Sequence, residues 1–208
     1  MKHIVMTVGR MFGSGGREIG QKVAEKCGMT YYDKALLEMA AKESGMSVEV
    51  LENIEESATG SLLYSLSTGL FGSHFAGGAE PPLNDKLYIA QANIIKDIAQ
   101  KESCVIVGRC ADYILRNMKE CVKVFIHAPS EARIKRAVEV YGIPQEKAAD
   151  QIRRTDKRRS SYYNFYSGQK WGNMENYNLC IDSSMMGVDA TADMIADFIR
   201  HIAADDET

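Results

Sequence analysis

The stretch Gly9 to Glu18 reads Gly-Arg-Met-Phe-Gly-Ser-Gly-Gly-Arg-Glu and carries the most legible chemistry in this chain. Glycines at 9, 13, 15 and 16 let backbone N–H groups converge. A helix opening near Arg17 would turn its positive dipole end toward the same point, an arrangement that suits phosphate. The same residues would also make a tight strand-to-helix turn with no ligand. Two common fingerprints are not met in full: G-x-x-x-x-G-K-[ST] is absent, and a G-x-G-x-x-G begun at Gly13 ends on Glu18. A second concentration of charge is Arg153, Arg154, Lys157, Arg158 and Arg159, with Asp156 inside it. On a helix, Arg154 and Arg158 share one face. Such a run is either a cationic clamp or a solvated helical surface. Arg133 and Arg136 would add to the same field. Single charged residues at element ends complete the set: Asp33 after Tyr31-Tyr32, and Arg109 and Asp112 after Cys104–Val107.

These groups need a frame, and the apolar pattern supplies one. A short buried strand over 4–8 runs into the glycine loop, then a helix with Ile19, Val23 and Cys27 at four-residue steps, stopped by Gly28. Tyr31 to Asp33 reads as a second strand, with Asp33 capping a helix through Leu36, Leu37 and Ala40 to Gly45. Another short helix is predicted from Ser47. Residues 57–83, rich in Ser, Gly and Leu, read as a mobile excursion. A long helix from Asn84 to Lys101 follows, with Leu87, Gln91, Ile94, Ile95 and Ile98 on one side. Strands are predicted at Cys104–Val107, Val122–Ile126 and Tyr177–Ile181. Between them lie a helix capped by Ser130 and stopped by Gly142, and one from Pro144 to about Ser160. A final helix holds Met194, Ile195, Phe198 and Ile202, with a frayed acidic tail from Ala203. Strands alternating with helices specify a parallel sheet covered on both faces. Ligands of such sheets bind at the carboxyl ends of the strands, where the charged residues above fall.

Bulk composition narrows the function. The chain of 208 residues, 45% hydrophobic and 25% charged, reads as one soluble globular domain able to bury a full core. A net charge of -3 excludes a globally basic nucleic-acid binder. Tyr162, Tyr163, Phe165, Tyr166 and Trp171 beside the basic run would stack bases in a single-strand binder; packing of the basic helix, support of a base or a subunit contact is the competing reading. Five cysteines without C-x-x-C and four histidines without H-E-x-x-H point away from a disulfide framework and a metal site. No apolar run suits a signal peptide or a membrane span, so the expected compartment is the cytoplasm, with no membrane partner.

Four segments occur in order: Phe12-Gly13-Ser14-Gly15-Gly16-Arg17-Glu18-Ile19-Gly20, Tyr31-Tyr32-Asp33-Lys34, Val105 to Leu115, and Ile152 to Arg159. Together they resemble the cytidylate kinase-like family, relatives of bacterial cytidylate kinases with a divergent P-loop, and the resemblance covers nearly the whole chain. It implies an α/β fold: a three-layer P-loop NTPase-type domain with a parallel sheet flanked by helices, plus a helical lid at about 144–172. It implies ATP and Mg²⁺, with Gly13, Ser14, Gly15, Gly16, Arg17 and Glu18 cradling the polyphosphate. Cytidylate kinases proper have Gly-x-Gly-Lys-Gly-Thr at this loop. Here the lysine position falls on Gly16, or on Arg17 if the loop is one residue longer, and the favoured substitute cation is Arg17. The hydroxyl that holds Mg²⁺ becomes Glu18, either a metal ligand or a partner for a neighbouring arginine.

The same resemblance implies an acceptor site of Asp33, Arg109, Asp112, Asp156 and Arg159, with Arg17, Arg109, Arg154 and Arg158 neutralising the phosphoryl group in flight. The Ser-Gly and Tyr-Arg elements that accompany Asp33 in cytidylate kinases are missing here. The expected activity is ATP-dependent phosphoryl transfer to a nucleoside monophosphate, CMP or dCMP. The alternatives are a non-catalytic nucleotide-binding regulatory module and a kinase for another small acceptor. Partners are small-molecule nucleotides and not nucleic acid.

Overall fold

The computed structural model describes residues 3–33, 35, 36, 38, 39 and 83–204. The chain divides into two compact units, residues 34–94 and the remainder, 1–33 with 95–208. In the smaller unit Ala35, Leu36, Glu38 and Met39 are helical. The predicted helix from Ser47, the excursion at 57–83 apart from Leu83, Leu37, Ala40 and the extreme acidic tail lie outside the described residues.

The larger unit holds five parallel strands: β1 (Val5–Arg10), β2 (Thr30–Tyr32), β3 (Cys104–Val107), β4 (Cys121–His127) and β5 (Leu179–Asp182), in the order β2-β3-β1-β4-β5. The helices are α1 (Gly16–Cys27), α2 (Leu83–Lys101), α3 (Ala111–Ile114), α4 (Ser130–Glu139), α5 (Gln145–Ser167) and α6 (Gly187–Ala204). Only the last turns of α2, from Ile95, belong to this unit. The sheet is the parallel, helix-flanked one that the alternating pattern predicts. Val5, Met6, Ile106 and Val107 are all fully buried, so alternate residues on both faces are covered. On one face Met6, Val8, Val105 and Val107 pack with Ile19 and Val23 of α1 and Ile195 and Ile199 of α6.

Three boundaries shift for physical reasons. β1 runs to Arg10, because Gly9 and Arg10 pair with Phe125 and Ile126 of β4. The loop therefore begins at Met11, and Arg10 is a strand residue. α5 continues past Ser160 to Ser167 and stops at Gly168 in the left-handed region (φ 67°), so Tyr162 to Tyr166 are helical. Pro129 occupies the N-cap of α4, and Ser130, predicted as the cap, is its first helical residue. α1 ends as predicted, at Gly28 with φ 64°.

α4 and α5 form a hairpin with a small core of its own. Ala137, Ala148 and Ile152 are buried there against Ile134, Val138, Ile143 and the loop residue Phe12. The hairpin is thereby anchored to the loop it stands over.

Candidate phosphate-transfer site

The glycine loop joins β1 to α1. Met11 N–H donates to Ile126 O (3.0 Å), which ties the loop to β4. Ser14 is buried; its Oγ donates to Met11 O (2.9 Å), and Ser183 Oγ donates to Ser14 O (2.6 Å). Gly13 and Gly15 hold φ of 79° and 74°. Gly13 has no room for a side chain either, since a Cβ there would stand 2.8 Å from Arg133 O. Gly15 is the N-cap of α1, and Ser14 Oγ accepts the Gly16 N–H at 3.4 Å. The dipole of α1 lies behind this loop, as an anion site requires.

Arginines from four elements converge on the carboxyl edge of the sheet. Arg17, in the first turn of α1, places Nε 2.7 Å from Asp33 Oδ2 at the end of β2. Its side chain is 60% exposed, and that of Asp33 only 10%. Arg109 lies in the turn after β3, where Gly108, Arg109 and Cys110 have φ of 77°, 58° and 54°. Two non-glycine residues in succession in the left-handed region store strain, and strain of this kind collects at functional sites. The turn is closed by Ala111 N–H on Gly108 O and Gly108 N–H on Val8 O, both 3.0 Å.

Burial pushes the Arg109 guanidinium down to about 10, against the charges of Tyr162 and Asp33 and helped by Arg10. On α5, Arg159 donates through Nη1 to Arg10 O (3.2 Å). Burial, then the charge of Arg10, pushes it down to about 9, while Asp156 and Asp33 oppose the shift. Arg10 too is lowered by burial and supported by Asp33. The charge of Asp33 thus acts on Arg10, Arg109 and Arg159 as well as on its partner Arg17. Guanidinium groups held partly out of water beside a helix N-terminus suit a polyanion.

The hairpin braces the loop through acid–base pairs. Asp156 on α5 accepts the Phe12 N–H at Oδ1 (2.7 Å) and the Arg133 Nη1–H at Oδ2 (2.5 Å). Arg136 on α4 pairs with Glu18. The Nε atoms of Arg133 and Arg136 are buried with no hydrogen-bond partner among the described residues. Asp112, in the first turn of α3, is buried and accepts the Tyr163 O–H at 2.8 Å. Burial raises its carboxyl above the usual range, with the Tyr163 hydrogen bond pulling the other way.

The structure thus brings Gly13 to Arg17, Asp33, Arg109 and Arg159 to one edge. Asp156 and Glu18 sit at the loop on arginine partners, and Asp112 lies under α5 on Tyr163. Arg154 faces away: its Nε pairs with Asp150 Oδ2 (2.6 Å) one turn back, and it is 78% exposed. Arg158 is exposed as well. The available signal was the buried stripe of α5. Ala148, Ile152, Thr155 and Tyr163 face inward, and Arg159 falls on that stripe while Arg154 and Arg158 fall off it. The reading also missed Arg10, counted there as a loop residue.

Among the described residues no three His, Cys, Asp or Glu gather as a ready metal site. A Mg²⁺ that takes most ligands from phosphate and water needs only one or two carboxylates, and the carboxylate nearest the loop's helix start is Glu18, here paired with Arg136. The aromatic residues near the hairpin pack as structure: Trp171 stands edge-on to Phe125 (5.4 Å), which lies 5.0 Å from Tyr177.

Comparison with known proteins bears on the family and the fold. The model of the cytidylate kinase-like family matches residues 5–185. Cytidylate kinases of Pyrococcus horikoshii and Pyrococcus furiosus are each 25% identical over 201 residues, 96% of this chain and 90% of theirs. An uncharacterized protein from Eubacterium ventriosum superposes with TM-score 0.71 at 30% identity, over 95% of this chain and 99% of its own. A gluconokinase from Sinorhizobium meliloti (TM-score 0.53, 14% identity, 96% and 93% covered) and a shikimate kinase from Acinetobacter baumannii (0.51, 15%, 96% and 94%) share the fold.

Proposed function

Since the chain belongs to the cytidylate kinase-like family, we propose that it moves the γ-phosphoryl group of ATP to a nucleoside monophosphate, with CMP or dCMP as the acceptor. Its kinase-type fold and cytidylate kinase relatives support a phosphotransferase. The observation that carries the proposal is the edge where Asp33 pairs with Arg17 and its charge acts on Arg10, Arg109 and Arg159, beside the N-terminus of α1 at the glycine loop.

Each group has a task that follows from its place. The amides from Gly13 to Glu18 bind the donor's polyphosphate, with Ser14 and Ser183 fixing their direction. Arg109, held by its left-handed turn, binds the acceptor's phosphate. Asp33 orients the acceptor, and Arg17 keeps Asp33 in place at the rim. Arg159 reaches the loop from the hairpin and neutralises charge as the phosphoryl group crosses. No covalent intermediate is needed, because positioning and charge stabilisation account for catalysis of this type. Mg²⁺, where bound, would be held by Glu18 and would supply charge neutralisation to the polyphosphate. The hairpin α4–α5 excludes water as its arginines close, and Arg154 and Arg158 join only in a closed state.

A coupled assay of ADP release, run with ATP and Mg²⁺ across the common nucleoside monophosphates, tests the proposal. Turnover highest with CMP or dCMP is the expected result. Folded protein that binds ATP yet turns over no monophosphate would remove it, and ATP consumption with only a non-nucleotide acceptor would replace it.

A further inference from the structure

A glycine stands at position 16, where a Walker loop carries its lysine, and the structure shows what fills the space. A Cβ on Gly16 would lie 2.6 Å from Arg10 Cβ and 3.3 Å from Arg10 Cγ. The Arg10 side chain leaves the end of β1, passes over Gly16 and carries its guanidinium to the turn after β3. There a Cβ on Gly108 would lie 2.1 Å from Arg10 Nη1 and 3.1 Å from Cζ. Two glycines on separate elements are therefore emptied along the path of one side chain. A lysine at 16 and an arginine at 10 exclude each other, because the clash at 16 is with the stem of Arg10 and not with its flexible tip.

We propose that Arg10, and not Arg17, supplies the cation that grips the terminal phosphates of the donor, delivered from the strand instead of the helix. The inference rests on the kinase reading above and deepens it by naming the residue and the ligand feature, the γ-phosphate of a nucleoside triphosphate. Three observations support it. Arg17 is engaged with Asp33 at 2.7 Å, and its side chain is 60% exposed. Arg10 stands between β1 and β3, with Arg17 and Asp33 in its field and itself in the fields of Arg109 and Arg159. Its own carbonyl receives Arg159 Nη1 at 3.2 Å, so the hairpin's inward arginine meets the loop at this same residue. A guanidinium here can hold two phosphate oxygens at once, a grip the lysine ammonium does not offer.

The test compares the full-length wild type with Arg10→Met and Arg10→Gln, which are uncharged and of similar reach, with Arg10→Gly, with Arg17→Ala, and with the double variant R10G/G16K, in which no Cβ at 10 remains to meet the one at 16. Calorimetry with ATP and with ADP reads recognition of the γ-phosphate, and steady-state kinetics reads transfer. Loss of Arg10 should cut ATP affinity by about tenfold or more while ADP affinity changes by less than about threefold, and lower kcat by about a hundredfold. Arg17→Ala should raise the acceptor's KM and keep the preference for ATP over ADP. R10G/G16K, which returns an ammonium to the usual place, should recover about tenfold of the lost kcat over Arg10→Gly.

A melting transition like that of the wild type, required of at least one of the two neutral variants, separates function from folding. Unchanged ATP preference and kcat in that variant, or loss of the preference in Arg17→Ala instead, overturns the assignment. So does a wild type that does not tell ATP from ADP. If the wild type phosphorylates no monophosphate while Arg10 still decides between ATP and ADP, the proposed activity fails and the assignment of Arg10 stands.

Discussion

Replacing Asp156 with alanine should destabilise the protein by about 3 kcal/mol. Two losses make up that figure. The Phe12 N–H loses a charged acceptor at 2.7 Å, and hydrogen bonds to charged groups are worth about 1.5–3 kcal/mol. Arg133 keeps its charge without the carboxylate, and stranding one partner of a fully buried pair costs about 3–5 kcal/mol. Here the two side chains are 13% and 16% exposed, so water screens the second term to about 1.5 kcal/mol, and the first adds about 1.5 kcal/mol. At roughly 2–4 °C per kcal/mol for a chain of this size, the melting temperature should fall by about 6–12 °C. Asp156→Asn keeps an acceptor for Phe12 and loses only the charge, and should cost about half as much. Urea unfolding followed by fluorescence reads the values. A cycle with Arg133→Met should show a coupling energy of about 1–2 kcal/mol. Asp156→Ala within about 0.5 kcal/mol of the wild type, or additive with Arg133→Met, would refute the claim that this pair braces the loop.

Other outcomes follow from the same geometry. Gly13→Ala meets backbone, Arg133 O at 2.8 Å, in a left-handed residue, so it should cost at least about 1–2 kcal/mol in urea and weaken ATP binding together with stability. Asp112→Asn should raise the melting temperature at pH 7, because burial lifts the folded carboxyl above its unfolded value. The penalty of the charged form is complete above the folded value, shrinks as pH falls through it and is gone below about 3.8, where the two proteins should melt alike. A constant difference across that range in a pH series of melts would count against a buried carboxylate there.

Much of this frame is written in local pattern. Cys104–Val107 is wholly apolar and became an interior strand, and Gly28 stops its helix because only glycine takes its left-handed φ cheaply. Where pairing partners decide, the pattern falls short. Nothing in Gly9-Arg10 marks them as strand; their ladder with Phe125 and Ile126 does, and that ladder fixes the side chain of Arg10. The charge run of α5 reads as one cluster until the helix acquires an inside. Then Ile152, Thr155 and Tyr163 set the phase, bring Arg159 to the loop and send Arg154 to Asp150. Asp156 gave no sign of its partner, since Phe12 lies 144 residues away in sequence. The strained turn at Arg109 is likewise invisible before folding, because two of its three left-handed residues are an arginine and a cysteine.

The account stands or falls on one site that receives donor and acceptor phosphates together. Calorimetry with a bisubstrate analogue, adenosine and cytidine joined through five phosphates, measures that directly. Binding one to one, about a hundredfold or more tighter than ATP and competed by either ATP or CMP, is the predicted result. An analogue that binds no tighter than ATP would contradict it.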